Sequence, residues 1–334
     1  DSGETSTVYT SSGFIGSYIV EEALALGYEV WAGVRCTSSH QYLTDPRTHF
    51  AELNLGSQQD LERQLAEYGR FDYIVHAAGA TKCRREADFF RTNLDGTRNL
   101  CEALIATGLT PERFVFVSSL SIFGAVREKP YPYTPILDTD TPQPNTAYGR
   151  SKLEAEKYLR TVTAFPWVML RPTGVYGPRE KDYFLMAQSI KQHTDFAVGY
   201  RPQDITFVYV QDVVQAVMKA LTAQGAEGKA FFLSDGQVYD SRRFSDLLQQ
   251  EMGTRFVLHI KAPLWFLKIV CTVAGAWGKM TGKMTALNPD KYHILAQRNW
   301  QCDIQPARDI LGYTPEWPLE RGVKEAVKWY KENK

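Results

Sequence analysis

Through the first two-thirds of the chain, short runs rich in β-branched and aromatic residues alternate with longer stretches of helical periodicity. The runs at 7–10, 29–34, 50–53, 73–76, 114–118 and 168–170 predict strands. Stretches 14–26, 57–68, 86–107 and 147–163 predict the helices between them. Strand–helix–strand alternation of this kind argues for a parallel sheet covered by helices on both faces. Right-handed crossovers make that sheet doubly wound, with ligands at the carboxyl ends of its strands. After Arg171 the rhythm loosens into "RPTGVYGPREKDY", which is rich in turn residues. A strand and helix at 205–221 return to the sheet, and 234–334 is expected to pack beside it and close over the ligand edge. The expected organisation is an α/β dinucleotide-binding domain over 1–172, with 205–233 returning to it. A smaller α+β substrate region then comprises 173–204 and 234–334.

Composition narrows the function classes. Of 334 residues, 44% are hydrophobic and 23% charged, so a sizeable core is expected. Lys+Arg and Asp+Glu both total 38, which removes the strongest reason to expect nucleic acid or an anionic membrane as the main partner. Cys36, Cys83, Cys101, Cys271 and Cys302 are scattered and lack CxxC spacing. They predict reduced thiols in a cytoplasmic protein and no metal site. Residues 1–12 are polar and do not read as a signal peptide. The most apolar segment, 263–277, contains Lys268 and is too short to span a bilayer. Its expected role is a buried or amphipathic helix, with membrane contact disfavoured.

Candidate chemistry begins at "TSSGFIG". Gly13 would let a pyrophosphate approach the backbone, and Gly16 would let the helix pack closely on the first strand. The helix amino terminus adds free N–H groups and a positive dipole end. Thr10 departs from the glycine usual at the start of such a turn, and its β-carbon is expected to crowd the turn or the phosphates. Further on, "HAAGATK" places small residues at a strand end and "VSSLSIFG" places hydroxyls at another. "AYGRSKLEAEKYL" sets Tyr148 and Lys152 one helical turn apart. A phenol with a reference pKa of about 10 is a poor base at neutral pH. A nearby ammonium favours phenolate, so Lys152 is expected to make Tyr148 a usable acid/base, with Ser119 holding the substrate oxygen.

Taken together, "SSGFIG", "HAAG", "RTNLDGTRNLCEAL", "FVFVSSLSIFG", "YGRSK", "LRPTGVYGP", "FVYVQDVVQAV" and "LGYTPEWPLERGVKEAVKWY" resemble the extended short-chain dehydrogenase/reductases, the NAD-dependent epimerase/dehydratase family. The resemblance implies a Rossmann-type fold and a catalytic set of Ser119, Tyr148 and Lys152, with Asn93 in support. It assigns Gly13, Phe14, Ile15 and Gly16 to the pyrophosphate turn and Asn54 and Leu55 to the adenine. Ala77, Ala78 and Gly79 match the ribose contact, and Pro172 and Thr173 the nicotinamide wall. Thr81, Ser121, Tyr176 and Arg179 are expected on the substrate side. By the same analogy, helices 86–107 and 147–163 form a homodimer interface.

Strand two ends in "VWAGVRCTSS", without the carboxylate that commonly binds both ribose hydroxyls of NAD. Arg35 and Ser38 suit a 2′-phosphate, so NADP(H) is favoured over NAD(H). The family's dehydratases carry an Asp-Glu pair after the triad hydroxyl, where this chain has Leu120 and Ser121. Its nucleotide-sugar epimerases place an arginine where this chain has Ile205, unless Arg179, Arg242 or Arg298 substitutes. The leading expectation is therefore an oxidoreductase for a secondary alcohol or ketone, near the hydroxysteroid dehydrogenase and dihydroflavonol reductase branches. A sugar epimerase holding NAD(H) and a non-catalytic dinucleotide-binding regulator remain the alternatives.

Overall fold

The computed structural model describes residues 6–35, 39–281, 285 and 287–333. Its first half runs β1 (Thr7–Ser11), α1 (Phe14–Ala25), β2 (Glu29–Val34), β3 (His49–Glu52), α2 (Gln58–Tyr68), β4 (Tyr73–His76), α3 (Glu86–Phe90), α4 (Gly96–Thr107), β5 (Arg113–Val117) and α5 (Ala147–Leu159). Then follow β6 (Trp167–Pro172), β7 (Gly174–Tyr176), α6 (Lys181–Lys191), β8 (Thr194–Val198), β9 (Asp204–Ile205), β10 (Phe207–Tyr209), α7 (Val210–Thr222) and β11 (Lys229–Leu233). The chain finishes with β12 (Tyr239–Asp240), α8 (Arg243–Met252), β13 (Leu258–Ala262), α9 (Leu264–Thr281), α10 (Pro289–Ala296) and α11 (Leu319–Glu332).

Among the described residues a seven-stranded sheet forms in the order β11-β6-β5-β4-β1-β2-β3. Every pairing in it is parallel. The order reverses beside β1, where the chain winds one way to β2 and β3 and the other way to β4, and this leaves a crevice at the carboxyl edge. Ile19 and Val20 of α1 and Val213 and Val217 of α7 cover one face, against Val8, Val30, Val75, Val115 and Val168. Leu61, Leu65, Leu100, Leu104, Ala155 and Leu159 cover the other. Full burial of such side chains is worth about 1.5–3 kcal/mol each, so the two apolar layers hold the sheet and the crevice inherits its rigidity.

Three expectations change. The seventh strand is Lys229–Leu233 and not 205–209, because a parallel neighbour of β6 needs a crossover first and α7 supplies it only after Tyr209. Phe207–Tyr209 pairs instead with Gly174–Tyr176 in a separate two-stranded sheet. Helix 86–107 is interrupted by a π-helical turn at Arg91–Asp95, and 147–163 stops at Leu159. Finally, 263–277 is not core. It forms most of α9, where Leu267 and Cys271 are buried while Trp265, Phe266, Ile269, Val273 and Trp277 are exposed. The inward stripe is narrow, so most of the helix's apolar surface faces outward.

Candidate active site

The turn after β1 is built for a ligand that takes backbone hydrogen bonds. Gly13 caps α1 without a side-chain hydrogen bond, and no acidic residue occupies the first turn. The N–H groups of that turn, over Phe14 and Ile15, therefore keep their positive dipole end unopposed. A β-carbon on Gly13 would meet nothing within 4 Å, so the phosphate side is open. On Gly16 it would lie 1.8 Å from the Ser11 carbonyl oxygen, which makes glycine obligatory for α1 to sit this close to β1. Thr10 is a strand residue, in register with Ala32 and Val75, and wholly buried. The sheet accommodates its β-carbon, so the expected crowding of the turn does not arise there. Buried Oγ atoms of Thr10, Ser11 and Ser118 lack hydrogen-bond partners at these strand ends. Open glycine turn, uncapped helix and unmet hydroxyls together fit a dinucleotide.

The remaining cofactor-side residues are distributed along the same edge. Arg35 follows β2, while Ser38 lies outside the described residues. Asn54 is held in its own loop, its Nδ2 donating to Asp60 at 2.9 Å and its Oδ1 accepting from Gly56 N at 3.1 Å. The Leu55 carbonyl accepts from Asn99 at 2.9 Å. Ala77 and Ala78 are half-buried after β4, and Gly79 is exposed. A β-carbon on Gly79 would stand 3.0 Å from Lys152 Nζ and 3.1 Å from Asn93 Oδ1, so small residues are needed where the ribose was expected. Pro172 ends β6, and the Thr173 hydroxyl bonds that of Thr206 at 2.8 Å.

Ser119, Tyr148, Lys152 and Asn93 come together at the ends of β4 and β5. Thr146 caps α5 by accepting from Gly149 N at 3.0 Å, and this fixes Tyr148 in the helix's first turn. The Ser119 hydroxyl accepts from Ser121 N at 3.1 Å and lies near enough to the Tyr148 phenol to act on its pKa. Burial pushes the Tyr148 pKa up, and the Ser119 contact partly opposes it. Lys152 is buried and donates to the Val117 carbonyl at 2.9 Å, with Nζ 4.8 Å from the centre of the Phe116 ring. Burial brings its pKa down to about 8, against the pull of Glu156. The expected ammonium-driven lowering of Tyr148 is thus not the balance found: desolvation dominates, and Lys152 turns to Val117.

Asn93 reaches this group through the π-helical turn. Its Oδ1 accepts from Ala80 N at 2.8 Å, and its Nδ2 donates to Ser151 at 2.9 Å. Buried His76 and Thr97 support the turn: Thr97 donates to the Asn93 carbonyl at 2.7 Å, so its oxygen accepts from His76 Nε2 at 2.9 Å. Burial, with the Lys152 charge behind it, brings the His76 pKa down to about 3 and keeps the ring neutral. Glu156 lies one turn beyond Lys152 and pairs bidentately with Arg171, at 3.0 and 2.6 Å. Asp290 of α10 accepts from Ala147 N at 2.9 Å, at the head of α5. Sequence reasoning missed His76, Thr97, Ser151, Glu156, Arg171 and Asp290. All but Asp290 sat within motifs already singled out, without a role assigned to them.

The four substrate-side residues divide. Ser121 remains beside Ser119, and Thr81 is exposed on the loop after β4. Tyr176 is 1% exposed, within an aromatic cluster of Tyr183, Phe207, Tyr209 and Phe244, and is not brought to the Tyr148 group. Arg179 turns the other way, donating to Ser17 at 3.0 Å and Glu21 at 2.6 Å between the rings of Tyr18 and Tyr42. It clamps the loop before α6 onto α1.

Known proteins resemble this chain in sequence and fold. UDP-glucose 4-epimerase of Vibrio cholerae is 26% identical over 329 residues, 95% of this chain and 92% of that one. Sterol-4-alpha-carboxylate 3-dehydrogenase, decarboxylating, of Dictyostelium discoideum is 23% identical and covers 94% of this chain and 97% of its own. Among solved structures, UDP-glucose 4-epimerase with UDP-glucose from Thermotoga maritima superposes with a TM-score of 0.76 at 22% identity, covering 98% and 99% of the two chains. The NAD dependent epimerase/dehydratase family matches residues 10–233, from Thr10 in β1 to the end of β11. The chain belongs to that family and is an NAD(P)-dependent oxidoreductase or epimerase of the extended short-chain dehydrogenase/reductase type.

Proposed function

We propose that this enzyme uses NADP(H) to interconvert a secondary alcohol and a ketone, with Tyr148 as the acid/base. The observation that carries the reading is the Tyr148 phenol close to Ser119, one helical turn from buried Lys152. The nucleotide, held at the Gly13–Gly16 turn, supplies or accepts the hydride. Ser119 positions the substrate oxygen, and Tyr148 gives it a proton in reduction or takes one in oxidation. Because burial raises the Tyr148 pKa, the resting phenol is protonated at neutral pH and suited to donating to a carbonyl. Lys152 places positive charge beneath the site from a fixed position on Val117.

Arg35 at the end of β2 supports the choice of NADP(H). A substrate less charged than a nucleotide sugar is supported by Ile205 and by the three candidate arginines. Arg179 is bound to Ser17 and Glu21, Arg242 to Asp246, and Arg298 to the carbonyls of Val198 and Ala296. Cys83, Cys101, Cys271 and Cys302 are free, consistent with a cytoplasmic enzyme. A second reading, a nucleotide-sugar epimerase, draws on the near full-length match to the Vibrio cholerae protein.

Nucleotide released on denaturation separates the two: exchangeable NADPH supports the reductase, and NAD retained through purification supports the epimerase. Tyr148→Phe should keep nucleotide affinity and lower turnover by roughly 10²–10⁴-fold, the usual contribution of general acid/base catalysis. Near-wild-type turnover by that variant on a substrate the wild type converts would refute the role of Tyr148.

A further inference from the structure

Helix α9 is amphipathic in an inverted sense. Leu267 and Cys271 face inward, and Gly275 lies close enough to Pro289 that a β-carbon would approach its ring at 2.8 Å. The outward stripe carries Trp265, Ile269, Val273 and Trp277, spaced four apart, with Phe266 and Met280 beside them. Trp265, Val273 and Trp277 are 66%, 63% and 63% exposed. The ribbon that leads into the helix behaves alike: Ile260 pairs in register with Phe196, and both stay exposed with Leu258. Isolated exposed apolar residues are ordinary, whereas a continuous stripe including two tryptophans marks an interaction surface.

Charge selects the occupant. Between Met252 and Pro289 the sequence holds Arg255, Lys261, Lys268, Lys279 and Lys283 and no Asp or Glu, although the whole chain is balanced at 38 of each sign. A two-fold contact between copies would set this basic segment against itself with no counter-charge. An anionic bilayer supplies the counter-charge and the apolar bed together, and tryptophan favours the boundary between headgroups and acyl chains. The helix has 18 residues, about 27 Å, and its inner face is packed on protein, so it lies along a surface instead of crossing one. No helix among the described residues is long and apolar enough to cross.

We propose that the outward face of α9 docks the enzyme on an anionic lipid bilayer. Since α9 packs on α10, whose Asp290 bonds the first residue of the catalytic helix, docking brings the site's own scaffold to the interface. The proposal stands apart from the choice of nucleotide and of alcohol.

The test is flotation of the full chain with phosphatidylcholine vesicles, alone and with about one-third phosphatidylserine. Binding is expected with the anionic vesicles, weakened by salt, and reduced about tenfold or more in Trp265→Ser/Trp277→Ser. Both positions are exposed, so far-UV circular dichroism and thermal melting should be unchanged. Wild-type protein that stays soluble with both vesicle types would overturn the proposal, as would a double variant that floats equally well. Size-exclusion chromatography settles the competing occupant. A dimer that the double variant converts to monomer would assign the face to a second copy and overturn lipid docking.

Discussion

Replacing Lys152 by methionine should make the folded protein more stable at neutral pH while removing its activity. The ammonium is buried, and its pKa falls from 10.5 to about 8, a net result that already includes the favourable charge of Glu156. A depression of that size corresponds to about 3 kcal/mol against the charged form, on the order-of-magnitude scale of 1.36 kcal/mol per unit. Below pH 8 the lysine is protonated whether folded or unfolded, so the full penalty is carried at pH 7. Between about 8 and 10.5 the unfolded chain keeps a proton that the folded chain has released. Wild-type stability therefore rises with pH across this window, by about 1.4 kcal/mol per unit. Methionine keeps the stem and removes the charge, but leaves the Val117 carbonyl without its 2.9 Å donor. That loss costs about 1–2 kcal/mol. The net expectation is a variant more stable by about 1–2 kcal/mol at pH 7, with the order reversed by about pH 10. Urea unfolding of both proteins at several pH values, without nucleotide, measures the gap. A variant less stable at pH 7, by an amount that does not change with pH, would show that the ammonium carries no burial penalty.

Three further outcomes follow from the turn and the strand ends. Gly16→Ala should lower stability by about 1–3 kcal/mol and weaken nucleotide binding, because its β-carbon collides with the Ser11 backbone and pushes α1 off β1; thermal melting and fluorescence titration read the two effects. Thr10→Val keeps the shape of the strand residue and removes its unpaired hydroxyl, so apo stability should rise by about 1 kcal/mol; a fall would mean that Oγ1 has a partner worth keeping. Arg35→Ala should weaken NADPH by about 1.5–3 kcal/mol more than NADH, and equal losses in calorimetry would show that it does not read the 2′-phosphate.

The sheet was legible because its signals are local. Hydrophobic runs bounded by turn residues located six of its strands to within a residue or so. The glycine pair, with Tyr148 and Lys152 one turn apart, marked the candidate site. What escaped depends on partners distant in sequence. Nothing in "RTNLDG" announces a π-helical turn; it is visible only once Asn93 meets Ala80 and Ser151 and Thr97 meets His76. The pKa balance at Tyr148 required knowing that Lys152 points to Val117. Tyr176 lies within the motif "RPTGVYGP" and Arg179 directly after it, but one enters an aromatic core and the other a clamp on α1, directions that spacing alone does not carry. Segment 263–277 left a buried and an amphipathic helix both open because hydropathy records how apolar a helix is and not which side of it finds a partner. Overall charge balance likewise concealed a stretch of thirty-odd residues, between Met252 and Pro289, in which every charge is positive.

Among the described residues, buried polar atoms without partners occur at Thr48, Arg113, Tyr176 and Tyr330 as well as at the carboxyl edge. Away from that edge, Arg171 sits bidentate on Glu156, with Phe123 and Phe232 within cation–π distance. At the carboxyl edge the sequence does the reverse. Lys152 is buried at a net electrostatic cost, and the hydroxyls of Thr10, Ser11 and Ser118 have no partner in the protein. Such burials are destabilising unless a ligand relieves them, and replacing them with apolar residues of equal size would be the cheaper way to make a sheet. The hydroxyls of Thr10, Ser11 and Ser118 stand beside an uncapped helix and an open glycine turn, an arrangement that suits a polar ligand. Thr10 itself stands in the strand, where its β-carbon packs, and its buried hydroxyl has no partner there.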